Sequence, residues 1–159
     1  MCYCQAPARP LPAGPARRAG PVLAPATSLR LDAAATAPGR ARATVRDALA
    51  QWGLRHLTDP AEAIASELVT NAVAASREAV PIGAAPAHIT LSIIVERAEL
   101  HIRVWDPDPA PPPRDYEPGT WDETGRGLMI VAALSERWDW CPTADRGKYV
   151  WAALSLANS

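Results

Sequence analysis

The segment from Asp59 to Glu78 leaves the chain little local choice. Asp59 can cap a helix, Pro60 occupies its first position, and Glu62 stands three residues past the cap. Ile64, Leu68, Ala72 and Val73 then recur at helical spacing and form a buried stripe, until Pro81 and Gly83 break the pattern. Glu67 and Asn71 are four apart, so they project side by side, with Leu68 and Val69 turned to the apolar side. A carboxylate beside a neutral amide can handle phosphate. The amide oxygen can ligate a hard cation such as Mg²⁺, and the carboxylate can polarise a hydroxyl or water. Two polar residues on a solvated helix face would look the same at this point.

Composition narrows the setting. The chain has 159 residues, enough for one domain with a substantial core and too few for two ordinary ones. A formal charge of −1 supplies no overall field to recruit nucleic acid or an anionic membrane. No apolar run approaches the ~20 residues needed to span a bilayer. Met1-Cys2-Tyr3-Cys4-Gln5 lacks the basic start and apolar stretch of a signal peptide. Three cysteines are an odd count, and neither they nor His56, His88 and His101 follow a zinc-binding spacing. A reducing cytoplasm is the expected compartment.

Residues 1–27 hold Pro7, Pro10, Pro12, Pro15, Pro21 and Pro25 among Ala, Gly and Arg, and are expected to be a disordered tail. Residues 28–157 are expected to form the domain. Ser28 to Asp32 alternates like a short edge strand. Pro38 opens a helix with Val45, Ala48, Leu49 and Trp52 at helical spacing, and Gly53 closes it. After the Asp59 helix, His88–Val95 and Leu100–Trp105 read as strands joined by a turn at Glu96-Arg97-Ala98-Glu99. Pro107 to Glu123 is too proline-dense for regular structure, and a loop of that length is usually functional or disordered. Thr124-Gly125-Arg126-Gly127 launches a helix whose apolar run is Leu128 to Leu134. Trp138–Cys141 and Lys148–Leu156 suit a hairpin closing across Asp145-Arg146-Gly147. Trp52, Trp105, Trp138 and Trp151 are expected to lie mostly in the core, with Trp121 on the loop as the best candidate for a partner surface.

Three places carry chemistry. Glu67 and Asn71 share the helix face described above. Asp106 follows an apolar strand, where a buried carboxylate needs a partner and an exocyclic amine such as that of adenine would serve. Gly125-Arg126-Gly127 stands at a helix start, where glycines admit close approach and free N–H groups favour phosphate.

In that order and spacing the chain resembles the ATP-binding domain shared by gyrase, Hsp90, histidine kinases and MutL. Within that superfamily it looks most like the anti-sigma regulatory factors, or serine/threonine protein kinases, of actinobacteria. The matching text is Glu67 to Val73, Val104 to Pro109, Gly125 to Leu128 with Ile130-Val131, and Gly147 to Ala152. The resemblance implies an α/β fold, a two-layer sandwich with helices on one face of a mixed, mainly antiparallel sheet. It implies ATP and Mg²⁺ as cofactors, with Asn71 holding the metal and Glu67 as general base. It further implies that Asp106 reads the adenine amine, that Gly125 and Gly127 border the phosphates with Arg126 near the mouth, and that Leu128 also contacts the cofactor. The segment from Pro107 to Glu123 would form part of a nucleotide lid. The implied partners are a sigma factor, an anti-sigma-factor antagonist, or both, with no direct contact to nucleic acid or membrane. A homodimer is compatible with the pattern and not required by it.

The chain departs from its relatives at three positions. Ala75 stands where many of them carry histidine, Pro107-Asp108-Pro109 replaces glycines after the adenine-reading aspartate, and Tyr149 stands where a short hydroxyl residue often helps read adenine. Two functions follow as expectations. One is an ATP-dependent regulator that phosphorylates a partner serine. The other is a non-catalytic interaction module with a degenerate or purely structural nucleotide site.

Overall fold

A computed structural model of the chain describes residues 24–79, 81, 87–112 and 126–157. The expected tail up to residue 23, the lid from residue 113 onward, Trp121 and Gly125 lie outside the described residues.

Strand β1 (Ala26–Asp32) is followed by helix α1 (Ala37–Gln51), a 3-10 turn (Arg55–Leu57) and helix α2 (Thr58–Ala79). Strands β2 (His88–Glu96) and β3 (Glu99–Asp106), helix α3 (Arg126–Leu134) and strands β4 (Arg137–Pro142) and β5 (Lys148–Ser155) complete the described chain. The five strands form one sheet in the order β1-β2-β3-β5-β4, with β1 on an edge as expected. All four described pairings are antiparallel. The result is the α/β two-layer sandwich that the sequence implied.

Small residues set the helix layer. Ala37, Ala41, Val45, Ala48 and Leu49 make the buried stripe of α1, and alanines there let it lie close against Ala61, Ile64, Ala65 and Leu68 of α2. Outside that seam, Arg46 bonds Glu62 at 2.9 Å and Arg42 donates to Ser66 at 2.8 Å. On the sheet, period-two alternation turns Ile89, Leu91 and Ile93 of β2, Leu100, Ile102 and Val104 of β3, and Val150, Ala152 and Leu154 of β5 toward the helices.

Two local expectations change. Thr58 is already helical behind the 3-10 turn, so Asp59 falls inside the first turn of α2 instead of capping it. Trp52 and Trp138 do pack on the core, but Trp105 and Trp151 alternate onto the other sheet face. There Trp105 Nε1 donates to Thr143 Oγ1 at 3.2 Å, and the Trp151 ring lies 6.3 Å from that of His101.

The β2–β3 turn is strained. Arg97 (φ 50°) and Ala98 (φ 65°) are both left-handed, the backbone of a two-residue hairpin that normally takes Asn-Gly. An L-residue with a Cβ pays about 1–2 kcal/mol there, of which glycine's greater unfolded freedom returns part. Ala98→Gly is therefore expected to stabilise the fold by about 1 kcal/mol, read as a higher urea midpoint at constant slope. An unchanged or lower midpoint would show that the turn stores no strain.

Candidate functional site

Helix α2 supplies the first wall of the site. Its register sets Glu67 and Asn71 one turn apart, both half-buried. Helix α3 begins against them. A Cβ placed on Gly127 would lie 2.6 Å from Glu67 Oε2 and 3.5 Å from each polar atom of the Asn71 amide. Glycine lets the first turn of α3 come this close without displacing the Glu67 carboxylate. The approach also sets the Glu67 carboxylate by the positive end of the α3 dipole. Among the described residues the buried Nδ2 of Asn71 has no hydrogen-bond partner. An unpartnered buried amide is uncommon and needs a reason.

The second wall is the end of β3 and the segment after it. Asp106 is the last residue of β3 and 1% exposed. In Pro107-Asp108-Pro109-Ala110 the prolines have no N–H, which leaves two backbone donors. Each is taken by the aspartate two residues before it: Asp108 N–H donates to Asp106 Oδ1 at 3.0 Å, and Ala110 N–H to Asp108 Oδ1 at 3.1 Å. Two consecutive aspartate turns thus replace the expected glycines and carry the chain past the cleft.

The floor comes from β5, and here the sequence reading is corrected. Alternation along β5 turns Tyr149 to the opposite sheet face, where it pairs with Trp105. Lys148 and Val150 face the cleft instead. Lys148 is 3% exposed and directly opposite Asp106 in the β3–β5 register. Its Nζ donates to Asp106 Oδ1 at 3.0 Å, to the Asp108 carbonyl oxygen at 2.9 Å and to Asp108 Oδ2 at 3.2 Å. Burial pushes the Asp106 carboxyl above its ordinary pKa, against the pull of the Lys148 ammonium and the Asp108 N–H. Gly147 is required just before it, because a Cβ there would collide with the Asp106 carbonyl oxygen and lie 2.7 Å from the Trp105 ring.

Between these walls lies a cleft of about 320 Å³. Among the described residues it is lined by Asn71, Ala72, Ala74, Ala75 and Glu78 of α2, Asp106, Asp108, Ala110, Pro111, Pro112, Leu128 of α3, Lys148 and Val150. The structure therefore brings Asn71, Asp106 and Leu128 to one cavity. Glu67 and Gly127 adjoin it behind Asn71 without lining it, and Arg126 is exposed at the start of α3. Lys148 is the residue that sequence reasoning missed. The period-two run of Val150, Ala152 and Leu154 was the signal that even-numbered positions of β5 face the helices.

The donor set suits a magnesium nucleotide. A cavity of this size, apolar on the Ala and Pro side, can admit a base. The Asn71 amide offers one oxygen to a hard cation that takes its other ligands from phosphate and water. Among the described residues no helix is long and apolar enough to cross a membrane.

Comparison with solved structures finds the same fold in the crystal structure of the RsbU and RsbW domains of Rv1364c from Mycobacterium tuberculosis, at 20% identity and a TM-score of 0.55. The match covers 82% of this chain, which spans 32% of the length of that one. A comparison with curated proteins finds no match. The model of the histidine kinase-like ATPase domain matches residues 31–154, which takes in α2, Asp106, α3 and β5 up to Leu154. The chain belongs to the histidine kinase-like ATPase domain family.

Proposed function

We propose that this chain is a Mg·ATP-binding regulator of the anti-sigma type, which sequesters a sigma factor or its antagonist and phosphorylates that antagonist on serine. Membership of an ATPase domain family implies ATP. The observation that carries the reading is the buried Asn71 Nδ2, without a partner among the described residues, at the wall of a cleft that also holds buried Asp106. Asn71 would hold Mg²⁺, Asp106 would accept a hydrogen bond from the base, and Gly125, Arg126, Gly127 and Leu128 would border the phosphates. Bound Mg²⁺ would neutralise phosphate charge. Glu67 would take the proton from the partner's serine hydroxyl. The added phosphate charge would then weaken that partner's grip. The tail proposed for residues 1–27 would stop short of Ala26 and Thr27, which already pair with Ile94 and Ile93 in β1.

A second reading, an interaction module that binds nucleotide without turning it over, is favoured by one observation. The Glu67 carboxylate is packed against Gly127 and does not line the cleft. Labelled ATP incubated with a candidate antagonist separates the two. Transfer by the wild type and its loss in Glu67→Gln support the kinase, whereas equal labelling by both proteins removes Glu67 from the chemistry. Binding without any transfer leaves the module. No calorimetric heat and no thermal shift with Mg·ATP would rule out a nucleotide role altogether.

A further inference from the structure

The buried ammonium at the floor of the cleft has no role in the function just described. Lys148 has three N–H donors, and three acceptors of this chain take them: Asp106 Oδ1, the Asp108 carbonyl and Asp108 Oδ2. None is left over for a ligand, so Lys148 is no hook for phosphate. Both hydrogen bonds that Asp106 accepts among the described residues end on the same oxygen, Oδ1.

We propose that Lys148 is the positioning residue of the base subsite: it holds Asp106 as an anion by one oxygen, so that the other, Oδ2, meets the ligand only as an acceptor and selects a base with an N–H donor at that edge. The proposal rests on the reading of the cleft as a nucleotide site. Three further features support it. Asp106 and Lys148 are direct cross-strand partners on adjacent strands, so backbone pairing fixes their approach. The same ammonium ties down the Asp108 turn, and with it the chain leading to Ala110, Pro111 and Pro112 on the cleft wall. The other charged side chains lining the cleft among the described residues, Asp108 beside the pair and Glu78 on α2, are both acids. Lys148 is thus the one cation among the described lining residues that opposes protonation of a buried carboxyl.

The sign of the effect follows. With Lys148 present, Asp106 stays ionised at neutral pH and reads an amino group. Without it, burial and the neighbouring acids act unopposed and the carboxyl keeps its proton to higher pH. A protonated acid loses acceptor strength and gains an O–H donor, which suits a carbonyl edge.

The test is calorimetric binding of Mg·ATP and Mg·ITP, the latter with a carbonyl in place of the amine, to full-length wild type and Lys148→Met across neutral pH. For the wild type, ATP affinity should be flat from about pH 6 to pH 8 and exceed that for ITP. In Lys148→Met it should fall about tenfold for each pH unit below the raised pKa. The preference for ATP over ITP should narrow over the same range. Equal loss at every pH with an unchanged ATP-to-ITP ratio would reduce Lys148 to a structural strut and overturn the proposal. If the variant does not fold, the wild type still decides: an ATP affinity that declines with acidification through this range shows that Lys148 does not hold the anion. A wild type that binds neither nucleotide refutes the reading of the cleft itself, and the proposal with it.

Discussion

Asn71→Ala is expected to weaken Mg·ATP binding by one to two orders of magnitude, because losing a polar partner of a charged group costs about 1.5–3 kcal/mol. The ligand-free protein should respond in the opposite sense. Asn71 Nδ2 is buried without a partner among the described residues, so truncation removes an unsatisfied donor as well as a few side-chain contacts. The thermal midpoint without nucleotide should therefore stay level or rise, while the shift produced by Mg·ATP disappears. Calorimetry and thermal denaturation on the same two proteins check both halves. If the midpoint drops while affinity holds, Asn71 is a packing residue.

Gly147→Ala is expected to produce the largest loss of stability, about 3 kcal/mol, at the upper end for overpacking. The obstacle to its Cβ is the backbone carbonyl of Asp106 together with the Trp105 ring, and neither can swing aside. Trp105 is held on the same edge by the bond from its Nε1 to Thr143, and Thr143 Oγ1 also accepts from the Gly147 N–H at 3.2 Å. Gly127→Ala is the built-in control. Its Cβ would crowd the carboxylate end of Glu67, which can move, and touch the Asn71 amide only at ordinary contact distance. Urea unfolding of the two variants should rank Gly147→Ala far below Gly127→Ala. Equal midpoints would mean that the β5 entrance has more slack than its geometry implies.

Much of the architecture was legible because its signals are local. Helical spacing marked both long helices, Gly53 with φ 74° ended the first, and Arg97-Ala98 marked the hairpin turn. Glu67 and Asn71 were legible as a pair because four residues make one helical turn. Asp106 was legible because an acid ending an apolar strand demands a partner. That partner was not legible. A lysine in a strand reads as solvent-facing until its mate is known, and here the mate is 42 residues away. The motif position falls on Tyr149, whereas the cleft-facing parity of β5 belongs to Lys148. The placement of Trp105 and Trp151 failed for a related reason: a large apolar side chain does not announce which sheet face it takes.

The strand order has a consequence for how the protein is made. Strands β2 and β3 close by a tight turn, and α2 carries Glu67 and Asn71 within one helix. Strand β5, by contrast, inserts between β3 and β4 and completes the cleft floor across those 42 residues. Non-local pairings of this kind form late, after loop-closure entropy has been overcome. A nascent chain that has not delivered residue 148 already holds Glu67, Asn71 and Asp106, yet lacks the Lys148 contact to Asp106 at the cleft floor. On the proposed reading, nucleotide would bind the finished fold and not the early one.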